Sequence, residues 1–117
     1  MPDLDSLMQL DGAMAAFRFS DKGELLEHRI TPGNELTPDI LDLLCHVCVA
    51  NMAIATMQAR GWEKMTGMGG FYPIQGFSMV GFEWTAITGD GWGVVVPNAQ
   101  ADFEAAYAAL GRQGGGP

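Results

Sequence analysis

The feature that most constrains the fold is a stretch of fifteen residues, 43–57, in which only three side chains are polar. Just before it, Thr37-Pro38-Asp39 is typical of a helix start, with a hydroxyl N-cap, a proline at the first helical position and an acid in the first turn. Gly61 is the expected C-cap. The pattern predicts a helix of about 23 residues, or about 34 Å, that is apolar almost all round.

Such a helix needs cover on more than one side, because a helix on the surface of a monomer has one apolar stripe and one solvated face. The stretch is interrupted by His46 and Asn51, and a bilayer-spanning helix needs about 20 clean apolar residues. A small sheet covers one side, and a second copy of the chain is the simplest cover for the other, since two-fold dimers are the commonest oligomers. The alternative is that residues 61–75, predicted to form a long apolar loop, fold back over the helix.

The remaining pattern predicts a single domain over residues 1–111 with a flexible tail at 112–117. Asp21-Lys22-Gly23 and Asp90-Gly91 are the turn signals that divide the strands into hairpins. The predicted elements are a helix at 4–10, strands at 13–19 and 24–30, the long helix, strands at 76–81, 83–88 and 92–97, and a last helix at 99–110 that is capped by Asn98 and ended by Gly111. This order, α-β-β-α-β-β-β-α, predicts an α/β (α+β) fold with one five-stranded antiparallel sheet and the long helix on one face.

The charge of the chain narrows the classes of partner. The formal net charge is −8, the sequence pI is about 4.4 and there are only six Lys and Arg residues. Nucleic acid and anionic membrane surfaces are held by basic side chains, so we expect neither as a partner. The first ten residues carry two acids and no basic n-region of a secretion signal. We therefore expect a cytoplasmic protein with reduced thiols.

Cys45 and Cys48 form a C-x-x-C pair on one side of the long helix, and three interpretations of it are open. Thiols buried in an apolar helix behave as small hydrophobic groups. Two pairs facing each other in a dimer of antiparallel helices would offer four thiolates, which suit zinc or an iron–sulfur cluster. A C-x-x-C pair can also serve redox chemistry, but redox pairs lie at exposed helix N-termini. The buried interpretation is favoured, because this pair lies about two turns into the helix.

Other candidate chemistry is weaker. Asp42 precedes His46 by one turn, a spacing that predicts an ion pair, and neither histidine has a serine or an accessible thiol as a nucleophile. The glycine-rich segment 67–70 lacks the Lys, Ser or Thr and the following helix of a phosphate cradle. The eight methionines suit adaptable packing and partner contact better than a copper site. We predict no catalytic residue, no metal and no cofactor, and therefore no enzyme.

The element order and the long helix resemble the roadblock/dynein light chain superfamily, and within it a small bacterial branch. The stretches that carry the resemblance are residues 4–12, 21–25, 57–59, 67–68, 76–81 and 101–103. The resemblance implies a homodimer in which the long helices pair and the strand at 76–81 extends the sheet across the two-fold axis. The dimer interface expected from it consists of Val47, Ala50, Asn51, Ile54, Phe77 and Met79.

The resemblance also implies scaffold and regulator roles, such as dynein-associated chains, complexes with small GTPases and a bacterial polarity regulator. We therefore predict a non-enzymatic homodimeric adaptor that presents a surface to a protein partner. Trp62, Phe71 and Tyr72 are the candidate partner contacts, because aromatic anchors dominate interface energies. Two alternatives remain: a metal- or redox-dependent sensor that uses Cys45 and Cys48, and a small-molecule sensor with a ligand beneath the loop.

Overall fold

Five strands form one antiparallel sheet in the computed structural model, which describes residues 3–70 and 74–114, and side chains as far as position 111. The strand order is β2-β1-β5-β4-β3. The elements are α1 (Leu4–Leu7), β1 (Ala15–Phe19), β2 (Leu25–Ile30), α2 (Pro38–Thr66), β3 (Phe77–Val80), β4 (Trp84–Gly89), β5 (Trp92–Pro97), a 3-10 turn (Asn98–Gln100) and α3 (Phe103–Gly114). The predicted fold class and element order are confirmed.

Helices cover both faces of the sheet. On one face α2 packs through Leu41, Cys45 and Cys48 against strand residues that include Phe17 and Val95. The cluster on the other face consists of Leu4, Leu7, Ala16, Ile87, Val94, Val96, Ala106 and Leu110, and it joins α1 and α3 to the sheet. Neighbouring strand residues such as Val94 and Val95 are buried on opposite faces, as the two-residue period of a strand requires. The predicted long helix therefore lies alone on its face, while the two shorter helices share the other.

The start of α2 is as the sequence predicts, but its end is not. The Thr37 hydroxyl accepts a hydrogen bond from the Ile40 amide at 3.2 Å, and Pro38 opens the helix. The predicted C-cap at Gly61 is wrong. The helix continues to Thr66 and ends at Gly67, whose φ is +72° and whose amide donates to the Glu63 carbonyl oxygen at 2.8 Å. A glycine that ends a helix commonly takes the left-handed conformation; Gly67 does so, and Gly61 does not.

The last helix also differs from its prediction. Asn98 does not cap it: the Asn98 side chain accepts a hydrogen bond from the Thr85 hydroxyl at 2.6 Å and donates to the Gly81 carbonyl oxygen at 2.8 Å. The helix is capped four residues later, where Asp102 accepts from the Ala105 amide at 3.0 Å. It then continues through Gly111 to Gly114. Asn98 instead ties the end of β5 to the β3–β4 turn.

The polar interruptions at His46 and Asn51 do not by themselves exclude a membrane span by α2. With 29 residues and an 18-residue window of mean hydropathy 1.8, α2 is long and apolar enough to cross a bilayer by length and composition alone. In this fold, however, α2 lies along the sheet, and Leu41, Cys45 and Cys48 are fully buried against it. The sheet therefore covers one side of the apolar helix.

Candidate protein interface on the long helix

A second apolar stripe runs along α2, away from the sheet. It consists of Ile40, Leu43, Val47, Ala50, Ile54 and Met57, which alternate at spacings of three and four residues. That spacing places side chains in one row along a helix and is the pattern of a helix-pairing seam. Leu43 is 67% exposed, Ile54 55% and Met57 74%. We call this row the outer stripe.

The rotation of α2 about its axis is fixed by contacts at both edges of the sheet. Toward β2, an Asp42 carboxylate oxygen accepts a hydrogen bond from the Leu25 amide at 3.1 Å. Toward β3, the Asn51 amide nitrogen lies 3.9 Å from the Met79 sulfur. The outer stripe therefore faces solvent on the side of the helix that is turned toward β3, because the polar side is turned toward β2.

His46 continues the polar side of the helix. Its Nδ1 lies 2.7 Å from the Asp42 carbonyl oxygen and 3.8 Å from an Asp42 carboxylate oxygen, which confirms the predicted ion pair when the imidazole is protonated. Both side chains are about half exposed, at 53% and 49%. A pair this exposed contributes little to stability. It marks the solvated side of α2.

The two edges of the sheet differ in chemistry. The β2 edge carries charges: Arg18 pairs with Glu27 at 2.7 Å, and Arg29 with Asp5 at 3.3 Å. Charged side chains protect an edge strand from pairing with another chain. The β3 edge has no charged residue, since its sequence is Phe-Ser-Met-Val. Only the β3 edge is therefore suited to receive another strand, and it adjoins the outer stripe.

The residues predicted for a dimer interface lie on these two neighbouring surfaces. Val47, Ala50 and Ile54 belong to the outer stripe, and Asn51 contacts Met79 beside it. Phe77 and Met79 are half-buried on β3 and also pack against the core beneath α2. The fold thus brings the six residues of this set together on one side of the molecule.

Of the three residues predicted for partner contact, the structure describes Trp62. Trp62 is 46% exposed, but it belongs to the last turns of α2 and not to the predicted loop. Phe71 and Tyr72 lie outside the described residues. Met65 and Met68 are exposed near Trp62, at 88% and 60%. The end of α2 therefore presents an apolar surface of its own.

Sequence reasoning missed five residues of this side of the molecule. Ile40 and Leu43 extend the outer stripe toward the start of α2 and Met57 extends it toward the end, and their signal was the alternating spacing of three and four, which has to be counted over the whole helix. Val80 is 66% exposed, and Phe82 in the β3–β4 turn is completely exposed. The signal for Phe82 was a large aromatic residue in a turn, where polar residues are the rule.

A groove lies between these missed residues and the N-terminal half of α2. It encloses about 570 Å³ and is lined by Leu44, Met79, Val80, Phe82 and Trp84, with Gly81 and Glu83 at its rim. Its walls are mostly apolar, and it lies at the end of the β3 edge. The outer stripe, the β3 edge and this groove form one continuous apolar surface.

The thiol pair belongs to the opposite side of α2. Cys45 and Cys48 are fully buried in the core against the sheet. Burial, followed by the proximity of Cys48 and Asp42, raises the pKa of Cys45 to about 12. Burial raises the pKa of Cys48 to about 11, although its hydrogen bond with Thr88 opposes the rise. The thiols therefore remain protonated at neutral pH, whereas a metal ligand or a nucleophile must be a thiolate.

The placement also argues against the four-thiolate site. A pair that faces the sheet does not lie on the outer stripe, where α2 would meet a second α2. Among residues 3–70 and 74–111, no three His, Cys, Asp or Glu side chains are grouped so that they could hold a metal ion. The geometry supports packing as the role of Cys45 and Cys48.

The sheet order, the long helix on one face and the two short helices on the other define the roadblock-like fold. Similar solved structures include the gliding protein MglB from Thermus thermophilus, with a TM-score of 0.67 and 20% identity over 93% of this chain and 83% of that one. The roadblock/LC7 domain from Streptomyces avermitilis has a TM-score of 0.64 and 15% identity over 92% and 84%. Myxococcus xanthus MglB has a TM-score of 0.58 and 16% identity over 89% and 85%.

The chain belongs to the family described as "Uncharacterized conserved protein (DUF2173)", which its sequence matches over residues 3–112. A comparison with curated proteins found no match. At the identities above, the similarity to solved structures concerns the fold alone.

Proposed function

We propose that the chain is a non-enzymatic, homodimeric interaction module of the cytoplasm that acts as an adaptor or regulator for a protein partner. The observation that carries the proposal is the continuity of the outer stripe of α2 with the uncharged β3 edge. One partner surface that offers the same two features would cover both at once. A second copy of the chain offers them by definition, because a two-fold interface is self-complementary.

The spacing of the outer stripe supports an antiparallel pair of α2 helices. With a two-fold axis at its middle, Ile40 lies opposite Met57 of the second copy and Leu43 lies opposite Ile54 of the second copy. The small Ala50 lies near the axis, where two helices can approach closely. Burial of a side chain such as Leu43 or Met57 contributes about 1.5–3 kcal/mol, and each is buried twice in a symmetric dimer.

The β3 edge supports the same arrangement. Antiparallel pairing of β3 with its copy would join two five-stranded sheets and satisfy backbone groups that an edge strand leaves open. The charged β2 edge would remain at both outer ends of the joined sheet. The resemblance to roadblock proteins implies this type of dimer, and MglB, a structurally similar protein, has been solved in a tetrameric arrangement.

The partner of such a dimer is a protein and not a nucleic acid, because the net charge of −8 repels a phosphate backbone. The resemblance implies a small GTPase or a larger complex as the class of partner. Trp62 and its neighbours Met65 and Met68 lie beyond the outer stripe, and they are the contacts that we propose for it. Exposed tryptophan and methionine suit an adaptable protein surface. Phe71 and Tyr72 remain candidate partner contacts.

The test compares two substitutions that place a carboxylate at an exposed apolar position. Ile54→Glu lies on the outer stripe, whereas Leu26→Glu lies on β2, at a similar exposure of 48% against 55%. We expect sedimentation equilibrium to show a dimer for the native chain and for Leu26→Glu. Ile54→Glu is expected to be a folded monomer at the same concentration, because each introduced carboxylate would be buried against Leu43 of the second copy without a partner charge. A monomeric native chain, or a dimeric Ile54→Glu variant, would contradict the proposal.

A further inference from the structure

A second cleft lies on the same face of the sheet, at the end where two hairpin turns meet the middle of α2. It encloses about 390 Å³. Phe19 of β1 and Val49 and Met52 of α2 form its apolar walls, and the buried Thr88 lies at its floor. The outer stripe is on a different side of α2, so the proposed dimer leaves this cleft open in both copies.

Two carboxylates stand at the rim of this cleft. Asp21 belongs to the β1–β2 turn and Asp90 to the β4–β5 turn, and both are exposed. The Asp21 side chain does not close its own turn, because the Ser20 hydroxyl accepts the hydrogen bonds from the Lys22 and Glu24 amides. No hydrogen bond or ion pair of the Asp21 or Asp90 side chain is found among the described residues. The sheet thus holds two unengaged negative charges above an apolar cleft.

The other charged groups near the cleft leave its rim negative. Lys22 and Glu24 follow Asp21 in the same turn and offset each other. His46 lies on α2 one turn from Val49, and its Cα is close to Gly23, but it is directed to Asp42. A net negative rim with apolar walls favours an occupant that is apolar along its length and positive at its end.

We propose that this cleft receives a basic side chain, arginine or lysine, from the protein partner. Such a side chain lays its methylene groups along apolar surface while its charged end stays at the polar rim. A guanidinium in addition offers five donors, which can serve two carboxylates. The acidic chain as a whole attracts a basic partner surface, and the cleft supplies the specific contact. The inference rests on the proposed role as an interaction module, but not on the dimer.

The test uses a short peptide with one arginine, acetyl-Gly-Arg-Gly-amide, and its citrulline counterpart, which has the same shape without the charge. Methyl NMR signals of Met52 and Val49 report on the cleft, and those of Ile87 report on the other face of the sheet. We expect the arginine peptide to shift the Met52 and Val49 signals in a saturable way. The citrulline peptide is expected to leave them unchanged.

The matched variants are Asp21→Asn and Asp90→Asn, with Asp11→Asn as an exposed control outside the cleft. Asparagine keeps the size of the side chain, and it tolerates the φ of +49° at position 90. Each single variant is expected to bind the arginine peptide about threefold more weakly, as for the loss of an exposed ion pair. The double variant is expected to bind it about tenfold more weakly. The Asp11→Asn control is expected to bind as the native chain does.

Three results would overturn the proposal: unchanged Met52 and Val49 signals, equal shifts with the citrulline peptide, or equal binding to the double variant. Saturation of the same signals by calcium alone at a lower concentration would also overturn it, since the cleft would then be a cation site. The mass of each sample is measured in parallel. A monomer that binds the peptide would refute the dimer alone, and a dimer that ignores the peptide would refute the cleft alone.

Discussion

Alanine substitutions at two glycines near the end of α2 test where the helix ends, because they are expected to have opposite effects on stability. Gly61 lies within the helix, and a Cβ placed on it would meet open space. Gly67 is the C-cap, with φ +72°. If the helix ended at Gly61, as the sequence suggests, alanine at position 61 would be the damaging change. Because it ends at Gly67, alanine there is the damaging one.

The magnitudes follow from the backbone. Gly61→Ala is expected to stabilise the fold by about 0.5–1 kcal/mol, because alanine loses less backbone entropy than glycine in a helix interior. Gly67→Ala is expected to cost about 1–2 kcal/mol, because Cβ crowds the following carbonyl oxygen in the left-handed conformation. The two variants should therefore differ by about 2 kcal/mol, which corresponds to several degrees in melting temperature.

Urea unfolding in the Ile54→Glu background is the appropriate assay, since dimer formation would otherwise make the midpoint depend on protein concentration. The comparison requires that the variants share the same dependence of unfolding free energy on urea concentration, because a shift of the urea midpoint then reports a change in stability. If Gly61→Ala is less stable than its parent while Gly67→Ala is unaffected, α2 ends near residue 61. The last turns of the helix, with Trp62 and Met65, would then have to be described as a loop.

Two further predictions concern the core. Gly93→Ala is expected to lower the free energy of unfolding by about 1–3 kcal/mol, because a Cβ there would overlap the ring of Phe17 on the adjacent strand. Gly111→Ala is the control and should cost nothing, because the space around Gly111 is open. Equal costs for the two variants would contradict the packing of Gly93 against Phe17. For the thiols, folded pKa values of about 12 and 11 lie above the ordinary 9.0, so stability should be constant below pH 9 and fall as pH rises toward 11–12. Unfolding measured across this range should show a flatter profile for a Cys45→Ala, Cys48→Ala double variant, and rapid alkylation of the native chain at pH 8 would refute the burial.

Local sequence signals predicted most of the fold where the deciding contact is close in sequence. The Thr37 cap needs only the amide three residues on. The Asp90-Gly91 turn has positive φ at both positions, +49° and +84°, as a two-residue hairpin turn requires. Signals failed where the deciding contact is distant. Asn98 would cap a helix in isolation, but its side chain is hydrogen-bonded to the Thr85 hydroxyl and to the Gly81 carbonyl oxygen.

For the candidate interface, too, local sequence signals were informative, whereas contacts between distant residues could not be predicted. That α2 needs cover on two sides follows from its composition, but which residues face which cover depends on the rotation of the helix. The Asp42–Leu25 bond, together with the Asn51–Met79 contact at the other edge of the sheet, fixes that rotation, and the bond joins residues seventeen positions apart. It explains why the cysteines face the sheet and not a second helix. It also explains why Ile40, Leu43 and Met57 were missed by a prediction based on the centre of the helix.

The same bond explains why the outer stripe and the β3 edge belong to one proposed interface. With the polar side of α2 held over the charged β2 edge, the remaining apolar side has to turn toward β3. The fold therefore concentrates its unsatisfied apolar surface and its unprotected strand edge on one side, and leaves the acidic cleft at Asp21 and Asp90 on the other. Substitutions on the two sides should have separate effects: Ile54→Glu should abolish the dimer without affecting the cleft, and Asp90→Asn should weaken binding of the arginine peptide about threefold without affecting the dimer.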